Sequence, residues 1–301
     1  ACSAGMSTAI DLSQLPAPTV VETLDYESVL AALQADFTAR YPAFTAALES
    51  EPVLKLLEVA AWRELIVRGR VNDAARACML AYALGADLDH LAALYGVQRL
   101  LLDAGDPTAV PPVPPTYESD ARLRARTQLA LEGFSTAGPV GAYEFWALSA
   151  DAHVLDVSVQ SPVPGQVLVT VLDSRGNGTP DAALLAAVLT TLSAEDVRPL
   201  TDQVLVQAAE IVPYTITAAL TVYPGPDAAT VRVAAAAATT AYAASVHRLG
   251  YDVTLSGLYA ALHQPGVQRV ALMAPAADLV LAAHQASWCT AVTVTLAGTA
   301  V

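Results

Sequence analysis

The spacing of apolar residues changes along the chain, and the change falls at a proline-rich segment. Before it, apolar residues recur at the spacing of one helix face, as in Leu54, Leu57, Ala61 and Leu65. After it, over residues 155–160 and again from Val167, apolar and polar residues alternate as in half-buried strands. The segment itself, residues 106–116, has five prolines in eleven residues. The sequence therefore predicts an α+β chain, with an all-α N-terminal domain followed by a mixed α/β region.

These patterns divide the chain into five segments. We predict an extended arm over residues 1–25, a helical domain over 26–105, a proline-rich polyproline II linker over 106–117, a first α+β domain over 118–226 and a second over 227–301. The second α+β domain contains a related αββ unit, because residues 256–272 repeat the aromatic helix, break and strand of residues 141–157. Inside the helical domain we expect helices starting at Pro52 and Asn72, and a short one capped by Asp87.

Composition excludes several classes of partner. The net charge is −14 at pH 7, which argues against nucleic acid or an anionic membrane as the main partner. No apolar run approaches the roughly 18 residues that span a bilayer, and we expect no secretory leader because residues 1–5 lack a basic residue. The three cysteines are far apart, which favours buried thiols over a disulfide framework. Hydrophobic residues make up 54% of the chain, which suggests surface reserved for protein contacts.

Several spaced motifs carry a family resemblance. They are Glu118-Ser-Asp, Leu123-Arg-Ala-Arg, Thr136-Ala-Gly-Pro and the run from Tyr143 to Asp151. Residues 85–99 upstream and 198–202 downstream lie where further markers are expected. In this order the motifs resemble the baseplate J-like proteins of contractile-tailed bacteriophages and tailocins.

The resemblance implies a structural protein without catalysis, cofactor or metal. It would be a baseplate wedge component that builds the inner ring and transmits its rearrangement to the sheath. Its partners would be copies of itself and other baseplate proteins: the lysozyme-like wedge protein, the tail protein I-like wedge protein, and hub or sheath-initiating proteins. It would be assembled in the host bacterial cytoplasm and reside in the tail baseplate of the virion.

Two kinds of chemical site compete with that interpretation. A hydrolase or lyase could use Asp151, His153 and Asp156, provided that they converge in a pocket. A metal could be held by Asp87, Asp89 and His90, although a helix cap and solvent-facing first-turn residues explain them better. The chain lacks the GxSxG, HExxH and Walker patterns of common enzymes.

Two groups of residues are candidates for a protein interface. The basic cluster comprises Arg63, Arg68, Arg70 and Arg76. It is either a solvated helix face paired with Glu58, Glu64 and Asp73 or a contact with another subunit, for which arginine is well suited. Tyr143 and Trp146 are either core residues or interface anchors. For self-association we expect the edges of the strand pairs at residues 155–172 or 292–296.

Overall fold

The computed structural model describes residues 10–16, 18–44, 51–135, 138–225 and 227–301 and confirms the α+β class. The described residues form two compact units. A helical unit contains residues up to 99 and residues 119–127, and a sheet unit contains residues 100–118 and 128–301. Part of the predicted arm (1–9 and 17) and the first two residues of the Thr136-Ala-Gly-Pro motif lie outside the described residues.

The helical unit consists of α1 (Tyr26–Arg40), α2 (Pro52–Ala77), α3 (Gly85–Ala93) and the start of α4 (Asp120–Gly133). Asp25 caps α1 by accepting the N–H of Ser28 at 3.0 Å, and Pro52 opens α2. In the predicted extended arm, Leu12–Gln14 forms a short 3-10 helix. A partly buried arginine, Arg99, joins α3 to α4 through ion pairs of 2.7 Å to Asp89 and 2.7 Å to Asp120.

The expected helix start at Asn72 is wrong, because α2 continues through this residue to Ala77. The Asn72 side chain is buried and paired at both ends with one backbone residue: its oxygen accepts the N–H of Glu22 at 3.0 Å, and its nitrogen donates to the Glu22 carbonyl at 2.9 Å. Asn72 therefore docks the segment before α1 onto the C-terminal part of α2. Asp87 does not cap α3 either, since the cap position is Leu84 and Asp87 lies in the first turn.

The proline-rich segment is a hairpin instead of an unpaired polyproline II spacer. Strand β1 (Leu101–Asp103) pairs antiparallel with β2 (Thr116–Tyr117), and Asp106 and Val113 exchange two backbone hydrogen bonds of 2.9 Å. The pairing is possible because Asp106 and Val113 retain the N–H groups that the surrounding prolines lack. We call residues 101–117 the proline hairpin.

The first sheet contains β3 (Val154–Gln160), β4 (Gln166–Asp173) and β5 (Gln203–Ala208) in the order β3-β4-β5. Strand β4 is antiparallel to β3 and parallel to β5. Helix α5 (Val140–Ala150) precedes β3, and α6 (Ala182–Leu192) makes the crossover that a parallel pair requires. The helices bury their apolar faces on the sheet in one core cluster, which includes Tyr143, Val154, Val171 and Val188.

The second sheet contains β6 (Glu210–Val222), β7 (Val267–Ala274) and β8 (Gln285–Thr299) in the order β7-β6-β8. Strand β6 is antiparallel to β7 and parallel to β8. Helices α7 (Ala228–Ser245) and α8 (Leu255–Leu262) lie between β6 and β7 in the chain. Two core clusters, one around Leu220 and Leu262 and one around Ile216 and Leu258, hold these helices against the sheet.

The two sheets share one plan but connect it differently. Each has a central strand with one antiparallel neighbour, which follows a helix, and one parallel neighbour. In the first sheet the central strand β4 follows its antiparallel neighbour β3 directly as a hairpin, whereas in the second the central strand β6 comes first in the chain and both of its neighbours follow later. Strand β6 therefore belongs with the second sheet, so the border between the sheets lies before residue 210 instead of at 226.

Candidate functional site

The outward face of α2 exposes a series of large apolar side chains. The exposed fraction of these side chains ranges from 48% at Ile66 to 67% at Leu56. The set comprises Leu56, Val59, Trp62, Ile66, Val67 and Val71. The opposite side of the helix buries Leu54, Ala61 and Asn72 and packs against α1. A helix that is apolar on its solvent side as well as on its packed side is typical of a protein-binding surface.

Two of the four predicted arginines lie on this face. Arg63 and Arg70 are seven residues apart, which is two helical turns, and both are exposed among the apolar side chains. In the part of the chain that the structure describes, neither has a carboxylate within ion-pair distance. Arginine on an otherwise apolar patch combines packing area with a charge that a partner carboxylate can pair.

The other two arginines are placed differently. Arg68 is bound to two carboxylates of its own unit, Glu64 at 2.7 Å and Glu22 at 3.1 Å. Its hydrogen bond to Glu64 raises the pKa of the Arg68 guanidinium above its ordinary value. Arg76 is exposed in the last turn of α2. The solvated, ion-paired reading thus holds for Arg68, and the interface prediction rests on the other three.

Tyr143 and Trp146 pack inside the sheet unit. Tyr143 is 2% exposed, and its hydroxyl donates to Asp202 at 2.7 Å. Burial, followed by this carboxylate, raises the pKa of the Tyr143 hydroxyl. Trp146 is half-buried against the same core, in edge-on contact with Phe145 at 5.2 Å between ring centres. Tyr143 is accordingly a core residue, and only Trp146 retains surface that a partner could contact.

The residues of the proposed hydrolase site do not converge. His153 and Asp151 contact each other, with Nδ1 of His153 2.9 Å from the Asp151 carboxylate. Asp156 instead accepts the N–H of Leu249 at 2.9 Å, in a cleft whose lining includes neither of the other two. This arrangement provides no shared position for a substrate atom.

The proposed metal ligands have other roles. The Asp89 carboxylate is held by Arg99, and Asp87 lies in the first turn of α3, where the helix dipole favours an acid. Within the described ranges, no three His, Cys, Asp or Glu side chains are grouped as metal ligands would be. No helix in those ranges is long and apolar enough to cross a membrane.

The cleft around Asp156 contains one unusual carboxyl group that the sequence analysis missed. The cleft is about 350 Å³ in volume and lies between α5, β3 and the loops at 248–251 and 281–283. Burial, with Asp156 and Glu132 nearby, raises the pKa of Glu144 on α5 to about 7. Sequence spacing could not reveal the burial of Glu144, because the loops at 248–251 and 281–283, which complete the cleft, come more than a hundred residues later in the chain.

Comparison with known proteins matches most of the chain to one family. Residues 49–106 match the Baseplate J-like N-terminal domain, residues 135–208 the central domain and residues 214–295 the C-terminal domain. The outward face of α2 lies in the first match, the first sheet in the second match, and most of the second sheet in the third.

A relative of known identity matches over nearly the full length. Baseplate protein J of Escherichia phage P2 is 52% identical over 288 residues, which cover 93% of this chain and 95% of that protein. The expected family is thereby confirmed, and proteins of this family are structural components of phage particles. The chain therefore belongs to the baseplate J-like family and is a structural protein of a virion tail baseplate, not an enzyme.

Proposed function

We propose that this protein is a wedge component that builds the inner baseplate ring and passes its rearrangement to the sheath. The observation that carries the proposal is the outward face of α2, where exposed apolar side chains surround Arg63 and Arg70. A structural protein needs such surfaces, since a standard interface buries about 1,600 Å² in total.

The chemistry of this face favours a partner other than a second copy of the chain. An α2 face packed on its own copy would bring arginines of equal charge together, which is unfavourable in a desolvated contact. A partner that offers apolar side chains and carboxylates would pair Arg63 and Arg70 instead. We therefore assign this face to another baseplate protein, and the candidates are the lysozyme-like wedge protein, the tail protein I-like wedge protein, and hub or sheath-initiating proteins.

Self-association is assigned to the sheet unit. Strand β8 is an edge strand, with β6 on one side, and its side chains from Thr295 to Thr299 are exposed. An exposed edge of this length can be covered by another copy. Replacing Leu296 with lysine, which blocks such pairing, should lower the mass of the self-assembled species in sedimentation experiments, while Arg269→Lys on the other edge strand serves as a mild control.

The α2 assignment is tested by charge reversal. The double variant Arg63→Glu/Arg70→Glu loses no ion pair of the described fold, so it should melt like the wild type. We expect it to enter tail particles at least about tenfold less often than the wild type, because a buried like-charge contact costs several kcal/mol. The matched control, Arg63→Lys/Arg70→Lys, keeps the charge and should enter tail particles much more often than the charge-reversed variant does.

The result can contradict the proposal at two levels. If the charge-reversed protein is folded and enters particles normally, the α2 contact is wrong. If the wild-type protein occupies no repeated position in the ring of purified particles, the wedge assignment is wrong as a whole.

A further inference from the structure

The tip of the proline hairpin, residues 107–115, is an exposed apolar segment. It contains no charged residue, although the chain as a whole carries a net charge of −14. Val110 is 98% exposed, so its side chain makes almost no contact with the rest of the protein, and Val113 is half exposed. Among the residues that the structure describes, no packing contact requires an apolar side chain at residue 110.

The hairpin is nevertheless held in one shape. At its neck, Asp106 accepts the N–H and the hydroxyl of Thr108 at 2.8 and 2.6 Å, in addition to the two backbone bonds with Val113. Gly105 has a φ of 67° and approaches the Val113 carbonyl so closely that a side chain would not fit. At its base, Leu100 and the buried Glu118 exchange two hydrogen bonds of 3.0 Å. A preformed segment loses little conformational entropy when it binds.

Proline chemistry limits how a partner can recognise this tip. The five prolines at 107, 111, 112, 114 and 115 have no N–H, so the tip cannot extend a partner's β-sheet as a strand. Proline-rich segments are instead bound in apolar grooves lined by aromatic side chains, against which the rings pack. The partner surface is therefore concave and apolar.

The charges around the tip add a second requirement for the partner, which concerns the charge at the rim of its groove. Between Arg99 and Arg122 the chain has four carboxylates and no basic residue. Glu118 is buried and Asp120 is paired with Arg99, so Asp103 and Asp106 remain exposed at the neck. Exposed aspartates are ionised at neutral pH, and the hydrogen bond from the Thr108 hydroxyl lowers the pKa of Asp106 further. A groove that accepts the tip is favoured if lysine or arginine lies at its rim.

We propose that the proline hairpin is a docking element whose tip inserts into an apolar, aromatic-lined groove with a cationic rim on another baseplate protein. The proposal rests on the structural role in the baseplate given above. A second copy of the chain is the less favourable occupant, because its net charge of −14 opposes an acidic neck.

The experiment compares two exposed valines in the same local context. Val110 and Val163 each lie next to prolines at the end of a hairpin, and both are more than half exposed. Val110→Asp, Val110→Leu and Val163→Asp are each expressed together with the wild-type chain and all other tail proteins of its particle. Mass spectrometry of purified particles then gives the ratio of variant to wild-type protein, and thermal melting of each isolated variant checks its fold.

We expect Val110→Asp to be depleted at least about tenfold, because a carboxylate is costly in an apolar groove. Val110→Leu and Val163→Asp should enter at the wild-type ratio, and all three should melt like the wild type. Equal incorporation of Val110→Asp, or equal loss of both aspartate variants, overturns the docking role. Absence of the wild-type chain from the particles overturns the structural role on which it rests.

The identity of the occupant is tested separately. A photoreactive amino acid at position 110 should cross-link, in intact particles, to aromatic or apolar residues of a different baseplate protein. A cross-link to a second copy of this chain overturns the assignment of the partner.

Discussion

The Glu144 carboxyl group makes the stability of the sheet unit depend on pH. It lies in the cleft that α5 shares with β3 and the loop after α7, and no hydrogen-bond donor reaches it from the residues that the structure describes. The acidic groups near it are Asp156 on β3 and Glu132 on α4, and Arg248 also lines the cleft. Replacing Glu144 with glutamine removes the charge and keeps the shape of the neutral carboxyl.

The direction of this pH dependence follows from the pKa of Glu144 in the folded and in the unfolded chain. Burial raises the pKa of Glu144 from 4.5 to about 7, so the folded protein binds this proton more tightly than the unfolded chain does. Well below pH 4.5 the Glu144 carboxyl is protonated in both the folded and the unfolded chain, so it does not change the free energy of unfolding. As the pH rises from 4.5 to about 7, ionisation of the unfolded chain progressively lowers the free energy of unfolding, and the loss is complete above that range.

If Glu144 were fully buried, the rise of its pKa from 4.5 to about 7 would correspond to roughly 3 kcal/mol of unfolding free energy. Water reaches part of the side chain, so we expect about 1–1.5 kcal/mol. Glu144→Gln should therefore match the wild type at pH 4 and be more stable by that amount at pH 8. For a unit of this size, the melting temperature at pH 8 should rise by roughly 2–6 °C.

The assay is denaturant unfolding at several pH values, followed by tryptophan fluorescence. A Trp62→Phe background removes the tryptophan of the helical unit, so that Trp146 and Trp288 report on the sheet unit. The control is Glu195→Gln, an exposed glutamate of the same unit. If Glu144→Gln and the wild type lose stability in parallel between pH 4 and 8, the reasoning about this cleft is refuted.

Three further substitutions test the packing of the sheet unit by the same unfolding assay. Leu258→Ala removes a side chain that is 0% exposed and should cost about 2–5 kcal/mol; a loss below about 1 kcal/mol would contradict its place in the core. Gly257→Ala puts a methyl group against the Tyr242 hydroxyl and should cost about 1–3 kcal/mol, so a neutral result would mean that the two helices do not pack this closely. Tyr143→Phe deletes the hydrogen bond to Asp202 and should cost roughly 1.5–3 kcal/mol, whereas an unchanged midpoint would show that the bond is absent.

Local patterns predicted the elements of this fold well. The alternation at residues 155–160 appears as β3, and Pro52 begins α2 as its fixed φ favours. A local signal was not sufficient at Asp87, because this residue lies in the first turn of α3 and the cap position is Leu84.

Features that depend on distant residues were not predictable in this way. Asn72 lies inside a helix because the backbone of Glu22 holds its side chain, and no pattern near residue 72 announces that contact. The order β7-β6-β8 could not be read from alternation, because alternation identifies a strand but not its neighbours. For the candidate site, the arginine cluster could be found from the sequence. The sequence could not show that Arg68 pairs with Glu22 whereas Arg63 has no such ion pair among the described residues.

The position of β6 has a consequence for the order of folding. Both neighbours of this strand come much later in the chain: Val222 pairs with Val267, and Glu210 pairs with Gln285. During synthesis, therefore, β6 emerges with both of its edges open and with its core side chains, Ile216, Ala218 and Leu220, uncovered until α7 and the later strands arrive. Closing such long loops slows folding, and an open apolar strand is prone to wrong pairing in the meantime. Newly made chains should thus be most vulnerable to aggregation after β6 is complete and before β8 has been added.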